Sequence, residues 1–285
     1  MMNPLLLLYS VVGGDILNYF LGISIIVFIL AVFYKAHKNT QKVVINTINI
    51  ANSKLSRQPL NILHLSDIHL ENISISPEEL YQSIAKQPID LIALTGDFLD
   101  RKKSIPKLIP YLNALGRVKP RFGIYAVFGN HDYFLKEKHF QQLKQTLEEN
   151  GCITLQNEHL SLNLDGKVLN IIGIDDNHSH RSNLEKSYQD LPEGYNLVLT
   201  HDPNLVLQMK HYPYDYLLSG HFHGGQILWP RPYHLLKMGK LVRMNIIKGL
   251  HYQDGKPFYI SEGLGQTGVN IRIGSRPEIT FHQIS

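Results

Sequence analysis

The sequence predicts an α/β domain with a mixed sheet system behind one membrane-spanning helix, and three observations carry that prediction. The run Ile16 to Tyr34 (ILNYFLGISIIVFILAVFY) is apolar or interface-tolerant over about 19 residues, close to the roughly 20 that a helix needs to cross a bilayer. Beyond residue 43, short apolar runs alternate with helix-like stretches, which is the pattern of α/β architecture. Asp165-Gly166 between two alternating runs, HLSLNL and KVLNIIGI, signals a hairpin, so antiparallel pairs join the parallel ones. Composition agrees: 44% hydrophobic and 18% charged residues in 285 describe a core-forming chain, not disorder, collagen or a coiled coil. The single cysteine, Cys152, closes no intrachain disulfide, which excludes a secreted disulfide scaffold. A net charge of +4 is too small for a dedicated nucleic-acid binder.

The elements follow in order. Residues 1–34 are the anchor, with the spanning helix over 16–34. Its only charged side chain is Asp15, and no Lys or Arg precedes Lys35, unlike a cleavable signal peptide or a twin-Arg export signal. Met1 to Val12 is too short to span alone; it either rests in the outer leaflet or begins a second apolar segment. Residues 35–59 hold a basic juxtamembrane segment (Lys35, Lys38, Lys42, Lys54, Arg57) and the first strand, Val43 to Ile50. That excess of cations places the following body on the cytoplasmic side. Within 60–285, Leu60 to Ser66 is a buried strand, Pro77 to Gln87 a helix opened by proline and two glutamates, and Asp90 to Thr95 a strand, which completes a βαβ unit. Pro106 to Leu115 is a short helix, Gly123 to Phe128 a strand, and Lys136 to Asn150 an amphipathic helix stopped at Gly151. After the hairpin, Tyr195 to Leu199, Tyr214 to Leu218 and Pro257 to Ile260 are strands that deliver polar clusters at their C-terminal ends. From residue 43 onward one domain accounts for the chain.

Five polar clusters sit just after buried strands: Asp67 and His69 in SDIHL, Asp97 and Asp100 in TGDFLD, Asn130, His131 and Asp132 in GNHDY, His201 in LTHDP, and His221 and His223 in SGHFHGG. Open α/β sheets bind ligands at the carboxyl ends of their strands, where each cluster falls. If the strands continue through them, Asp67 with His69, and His221 with His223, share a face at i and i+2. Carboxylate, imidazole and amide oxygen together suit Mn, Fe or Zn, and the lack of thiolates argues against structural zinc or an iron–sulfur cluster. Glycines flank the clusters at 96, 129, 220, 224 and 225, allowing close backbone approach.

The ordered set D-x-H, G-D-x-x-D, G-N-H-D, H and G-H-x-H resembles the calcineurin-like metallophosphoesterase superfamily over nearly all of 60–285. GHFHGGQI, SEGLG and RPEIT are similar to its membrane-associated bacterial branch, that of the YaeI and YkuE type phosphodiesterases and a UDP-2,3-diacylglucosamine pyrophosphatase of lipid A synthesis. The resemblance implies a four-layer αββα sandwich of two mixed sheets flanked by helices, placed at the bacterial inner membrane. It implies two divalent metal ions, manganese foremost, one held by Asp67, His69, Asp97 and His223 and the other by Asp97, Asn130, His201 and His221. A metal-bridging hydroxide then attacks a phosphodiester or pyrophosphate, with His131 as acid or phosphate stabiliser and Asp100 orienting its ring. Asp132 is not implied as a ligand. The chain departs from the branch's GHTHGGQ at Phe222 and from SDxHxG at Glu71, which bears on the pocket rim.

Other features are weaker. His139, His159, His178 and His234 read as surface or hydrogen-bonded structure, Asp175 and Asp176 as turn formers, and Cys152 as an inert buried thiol. The glycines of 263–268 lack the setting of a nucleotide cradle. Residues 231–248 mix five cations with apolar side chains, which suits either the membrane interface at the rim of the site or packing on the core. Membrane lipid and a lipid-linked phosphate are the expected partners, without nucleic acid. A soluble-substrate phosphodiesterase and a non-catalytic scaffold are the alternatives.

Overall fold

The computed structural model describes residues 4–51, 54–55, 59–228, 232 and 235–285, with backbone alone for 4–16. The side chains of the first apolar segment and Asp15, and all of Arg57, Arg231 and His234, lie outside the described residues. Helix α1 (Pro4–Thr40) runs further than the expected 16–34, taking in Lys35 and Lys38, and its stretch Leu17–Thr40 is long and apolar enough to cross a membrane by length and composition. His37 and Lys38 in its last turn complement the helix dipole.

Two six-stranded sheets follow. Sheet A contains β1 (Val44–Ile50), β2 (Leu60–Leu65), β3 (Leu91–Thr95), β4 (Ile124–Val127), β5 (Cys152–Thr154) and the last strand, β12 (Glu278–Ile284), in the order β1-β12-β2-β3-β4-β5. Sheet B contains β6 (Glu158–Leu164), β7 (Lys167–Gly173), β8 (Tyr195–Leu199), β9 (Tyr216–Ser219), β10 (Gly249–Gln253) and β11 (Lys256–Ile260), in the order β10-β11-β9-β8-β7-β6. The predicted hairpin is present as antiparallel β6 and β7, with Leu164 opposite Lys167 across Asp165-Gly166. A second Asp-Gly turn, Asp254-Gly255, joins β10 to β11, a pair the sequence reading did not anticipate.

Strand alternation builds the layers. From sheet A, Leu63, Leu65, Ile92 and Leu94 face outward onto helices α2 (Pro77–Ile84), α3 (Ile105–Gly116) and α4 (Glu137–Glu149). Their neighbours Ile62, Leu91 and Ala93 face inward against Leu169, Ile171, Leu197 and Leu199 of sheet B. Ile172, Val198 and Phe258 on the far face of sheet B carry Leu205, Val206, Leu241 and Val242 from short helical turns, the last two in α6 (Lys240–Arg243). The α-helix described between α4 and α6 is α5 (Leu184–Ser187), one turn capped by Asn183. The result is helix, sheet, sheet, helix, the four-layer arrangement expected.

β12 carries a polar–apolar alternation over Glu278–His282, yet the sequence reading places no strand there; the structure buries both of its faces, with Thr280 and His282 turning polar side chains into the interior. It pairs parallel to β1 and antiparallel to β2, which makes the first strand an edge of the main sheet rather than part of a linker.

The end of α1 is docked on this body. The Arg272 N–H donates to the Ala36 carbonyl (3.0 Å), Asn39 Nδ2 donates to the Arg272 carbonyl (2.8 Å), and His37 Nδ1 lies 3.1 Å from the Asn270 carbonyl. Thr40 meets Ser74 at 3.0 Å, and Arg276 also hydrogen-bonds Asn39.

Candidate metal centre

The parallel strands β2, β3, β4, β8 and β9 end on one edge of the sandwich, and each releases its polar cluster there. The expected i, i+2 geometry is wrong in detail. Asp67, His69, His221 and His223 lie beyond the strand ends with positive φ (51°, 38°, 75° and 50°), as does Asp97 (55°). Non-glycine residues in this region carry backbone strain, which clusters at functional sites and needs the surrounding structure to hold it.

Close packing does that holding. A Cβ on Gly129 would stand 2.2 Å from Asp97 Oδ1, and one on Gly220 would stand 2.2 Å from Asp67 Oδ2. Only glycine lets the GNHD and GHFH segments approach these carboxylates. Asp132 secures the same region: its carboxylate accepts the N–H groups of Asp97, Phe98 and Gly129 at 2.9 Å each, tying the β3 and β4 loops together. Burial, with the Asp97 charge beside it, pushes its own carboxyl up to about 7 against the pull of the Gly129 and Phe98 amides.

The structure brings six of the seven expected ligands and both expected catalytic residues to one place, and Asn130, buried, lies in the loop whose next N–H, that of His131, donates to Asp97 Oδ1 (2.9 Å). Asp67, His69 and His223 form one group with mutually close donor atoms, and Asp97, His201 and His221 form a second; Asp97 also groups with His69 and His131. Asp97 Oδ2 lies between the halves, 3.4 Å from His69 Nε2 and 3.2 Å from His201 Nε2. His223 Nε2 is 3.3 Å from Asp67 Oδ1. The inward nitrogens are set from outside, because His69 Nδ1 is held by Asp100 (3.0 Å) and His201 Nδ1 by the Thr95 carbonyl (2.7 Å). Both rings thereby carry a proton at Nδ1 and turn Nε2 toward the carboxylates, the orientation of metal-bound imidazoles.

The donor set fits divalent cations. His69 Nε2 and Asn130 Oδ1 are buried without a hydrogen-bond partner, a costly condition unless a ligand satisfies them, while His221 Nδ1 and His223 Nε2 face the centre, 3.1 Å from His201 Nε2 and 3.3 Å from Asp67 Oδ1. Among the described residues no Lys or Arg stands within ion-pair distance of Asp67 or Asp97. Burial raises the Asp67 carboxyl, whereas at Asp97 the His201 and His69 partners overcome burial and hold it well below the carboxylate range. His69 answers in kind: burial opposes its charge, yet Asp100 and Asp97 lift it to about 10. His221 and His223 stay well below the usual imidazole range through burial and neighbouring imidazoles, as neutral ligands must.

Asp100 Oδ1 accepts from two imidazoles at once, His69 Nδ1 and His131 Nδ1 (2.9 Å). Glu71, expected at the rim, instead holds the turn that carries Asp100: its carboxylate accepts the N–H groups of Asp100 and Arg101 at 3.0 Å and the Ser104 hydroxyl at 2.6 Å. Phe222 is fully buried and lines the cavity beside the centre.

Of the histidines set aside, His178 stands beside the site, its ring 4.9 Å from that of His221. Asp176 places it by accepting the N–H groups of His178 (3.3 Å) and Ser179 (2.8 Å), the turn role read from sequence. Its position after the C-terminal end of β7, like that of the five clusters, was the available signal. His159 is bound to the Ser187 carbonyl. Cys152 is buried at the start of β5, its thiol pushed up to about 12. The carbonyls of Gly263 and Gly265 accept from Arg272, so that loop wraps a guanidinium rather than a phosphate.

The centre opens into a cavity of about 370 Å³, bounded by Asp97, His131, His221 and His223 on one side and by apolar side chains on the other. Comparison with known proteins agrees with this geometry. Residues 60–225 match the family model for calcineurin-like phosphoesterases. The chain is 67% identical over 266 residues, 93% of its length and 98% of the relative's, to the uncharacterized metallophosphoesterase YkoQ of Bacillus subtilis. It is 28% identical to YkuE of the same organism, also named a metallophosphoesterase, over 77% of each chain. It is 27% identical to the phosphodiesterase YaeI of Escherichia coli, over 79% of this chain and 82% of YaeI. The two half-sites meeting at Asp97 are therefore the centre of a hydrolase, and the chain belongs to the calcineurin-like phosphoesterase family.

Proposed function

We propose that the protein is a membrane-anchored phosphoesterase that uses two divalent cations to hydrolyse a phosphodiester or pyrophosphate bond in a lipid-linked substrate. The observation that carries this is the placement of Asp97 between His69 and His201, which joins two half-sites through one carboxylate. Asp67, His69, Asp97 and His223 would hold one cation, and Asp97, Asn130, His201 and His221 the other; manganese is the first candidate, with iron or zinc also suited to this donor set. Such a pair supplies an activated water and neutralises nonbridging phosphoryl oxygens.

The chain's own residues do the rest. His131 donates from Nδ1 to Asp100, which fixes the ring and leaves Nε2 as the atom that passes a proton to the departing oxygen. Asp100, shared with His69, couples the position of that acid to the metal half-site. The lipid-linked class is favoured by α1, by its hydrogen bonds to residues 270 and 272 next to the cavity wall, and by the apolar half of that cavity. The cations after α1 favour the cytoplasmic face.

The test compares the purified full chain, loaded with manganese, on UDP-2,3-diacylglucosamine, simple phospholipids and a chromogenic phosphodiester, with Asp97→Asn as control. Metal binding with faster turnover of a lipid-linked ester is the expected result. Preference for the soluble ester removes the lipid assignment, and absence of both metal and hydrolysis leaves a non-catalytic scaffold.

A further inference from the structure

The cavity has two unlike ends. Its polar floor is the metal centre; its opposite wall is made by Phe222, Ile227, Leu235, Met238 and Val269, with no charged group among them. At about 370 Å³ it lies in the range of small-molecule sites, whose usual form is apolar walls with a few converging polar groups. The wall is built rather than incidental, because Phe222 and Leu235 belong to the core packed on sheet B. Gln226 braces the other side, its Nε2 donating to the carbonyls of Thr267 (2.9 Å) and Val269 (3.0 Å).

Two surfaces suited to a membrane flank this wall. Val269 is 56% exposed and precedes Asn270–Arg272, which hydrogen-bond the end of α1. Next to the wall residues Leu235 and Met238, Leu236 and Met244 are also exposed, among exposed Lys237, Lys240 and Arg243. Apolar tips among cations are the composition of an interfacial surface. The described residues of 235–248 thus divide their roles: Leu241, Val242 and Ile247 pack on the core, while Leu235, from that same core, and Met238 also line the cavity.

We infer that the apolar half of the cavity is a chain-binding subsite. The phosphoester lies over the metal centre while an alkyl or acyl chain of the same substrate lies against Phe222, Leu235, Met238 and Val269, drawn from the bilayer beside α1. This rests on the phosphoesterase assignment above and adds which part of the substrate selects it.

The test uses the full chain in manganese with p-nitrophenyl alkyl phosphodiesters bearing ethyl, butyl, hexyl or octyl groups, at one detergent concentration. Water adds its oxygen to phosphorus, the bond to p-nitrophenolate breaks, and an alkyl phosphate remains. A fully buried methylene is worth about fourfold in affinity, so kcat/KM is expected to rise by at least roughly tenfold from ethyl to octyl even with partial burial. Met238→Trp and Leu235→Trp, which fill the cavity, are expected to compress the octyl-to-ethyl ratio toward one. A ratio near one in the unmodified chain, with p-nitrophenolate still released, overturns the subsite. So does a high ratio that survives both tryptophan variants, since the chain then binds elsewhere. Release from none of the esters overturns the phosphoesterase assignment itself, and the subsite with it.

Discussion

Two groups of buried histidines lie close together in this protein and differ in almost every chemical respect. His64 on β2 and His282 on β12 sit between the sheets with ring centres 5.5 Å apart, partnered by Thr95 Oγ1 and Tyr216 Oη at 2.8 Å. Among the described residues no carboxylate pairs with either ring, and burial drives His64 down to about 3 and His282 well below its usual range. His69, only five positions after His64, is equally buried, yet two aspartates reverse the effect of burial and lift it to about 10. Burial alone therefore makes an imidazole neutral and structural. Acidic neighbours make the same ring attract a positive charge, whether a proton or a cation. The backbone separates the groups too: His64 and His282 continue regular strands, whereas His69, His221 and His223 occupy positive-φ turns at the strand ends, the last two lining the cavity.

The largest break in this contrast is expected at Asp97. Asp97→Asn removes the charge that both half-sites share and should cost both cations, and with them several kcal/mol of transition-state stabilisation, on the order of 10³ in kcat/KM. Elemental analysis with steady-state rates checks this; retention of two cations at full occupancy would remove Asp97 from its bridging position. Next is His131→Ala, which should keep both cations and slow turnover by on the order of 10². Unchanged turnover in a metal-loaded His131→Ala protein would assign proton delivery to another group, with His178, whose ring stands 4.9 Å from that of His221, the first to examine.

Most of the fold was legible because its strands obey simple periodicity: the Asp165-Gly166 hairpin, the βαβ unit of β2 and β3, and the apolar runs at β8 and β9 each appear where the pattern puts them. β12 alternates over Glu278–His282, but its burial on both faces does not follow from that pattern, because Thr280 and His282 fill inward positions with polar groups that find partners only in the folded core. The residues of the site were legible as clusters after strands, since strand ends and ligand chemistry are both local in sequence. Their backbone conformations were not: positive φ at Asp67 and His221 is imposed by contacts across the sandwich, such as the His221 N–H donating to Asp67 at 3.1 Å. The partners of Glu71 and His178 were hidden likewise, because a carboxylate capping a distant turn and an imidazole leaning on another loop are tertiary facts, although His178 follows a strand end as the five clusters do.

The core pair should make the opposite signature, in stability rather than rate. His64 titrates near 6.5 when unfolded and near 3 when folded, so between those values the unfolded chain binds more protons and stability rises with pH. Its contribution is complete above about pH 6.5 and declines by about 1.4 kcal/mol per unit below it. His64→Asn keeps a polar partner for Thr95 and removes the titration. Relative to its own stability at pH 7, it should lose about 2 kcal/mol less than the parent at pH 5. Urea unfolding with EDTA present, so that metal loss enters neither curve, makes the comparison. Equal losses would mean that His64 carries no acid sensitivity and that burial is not what sets it apart from His69.

The smallest effect, and the finest test of how the metal half-site is organised, is expected at Glu71. Its carboxylate holds two amides and a hydroxyl of the turn bearing Asp100 but touches no candidate ligand directly. Glu71→Gln puts an NH₂ group where one oxygen accepted a hydrogen bond, a loss of roughly 1 kcal/mol that falls on the position of Asp100. Asp100 orients His131 as well as His69, so turnover should drop by about tenfold at unchanged metal content, with kcat moving more than KM. A drop in metal occupancy approaching that of Asp97→Asn would show instead that the turn holds the cation site itself together, moving Glu71 from positioning the acid to sustaining the metal centre.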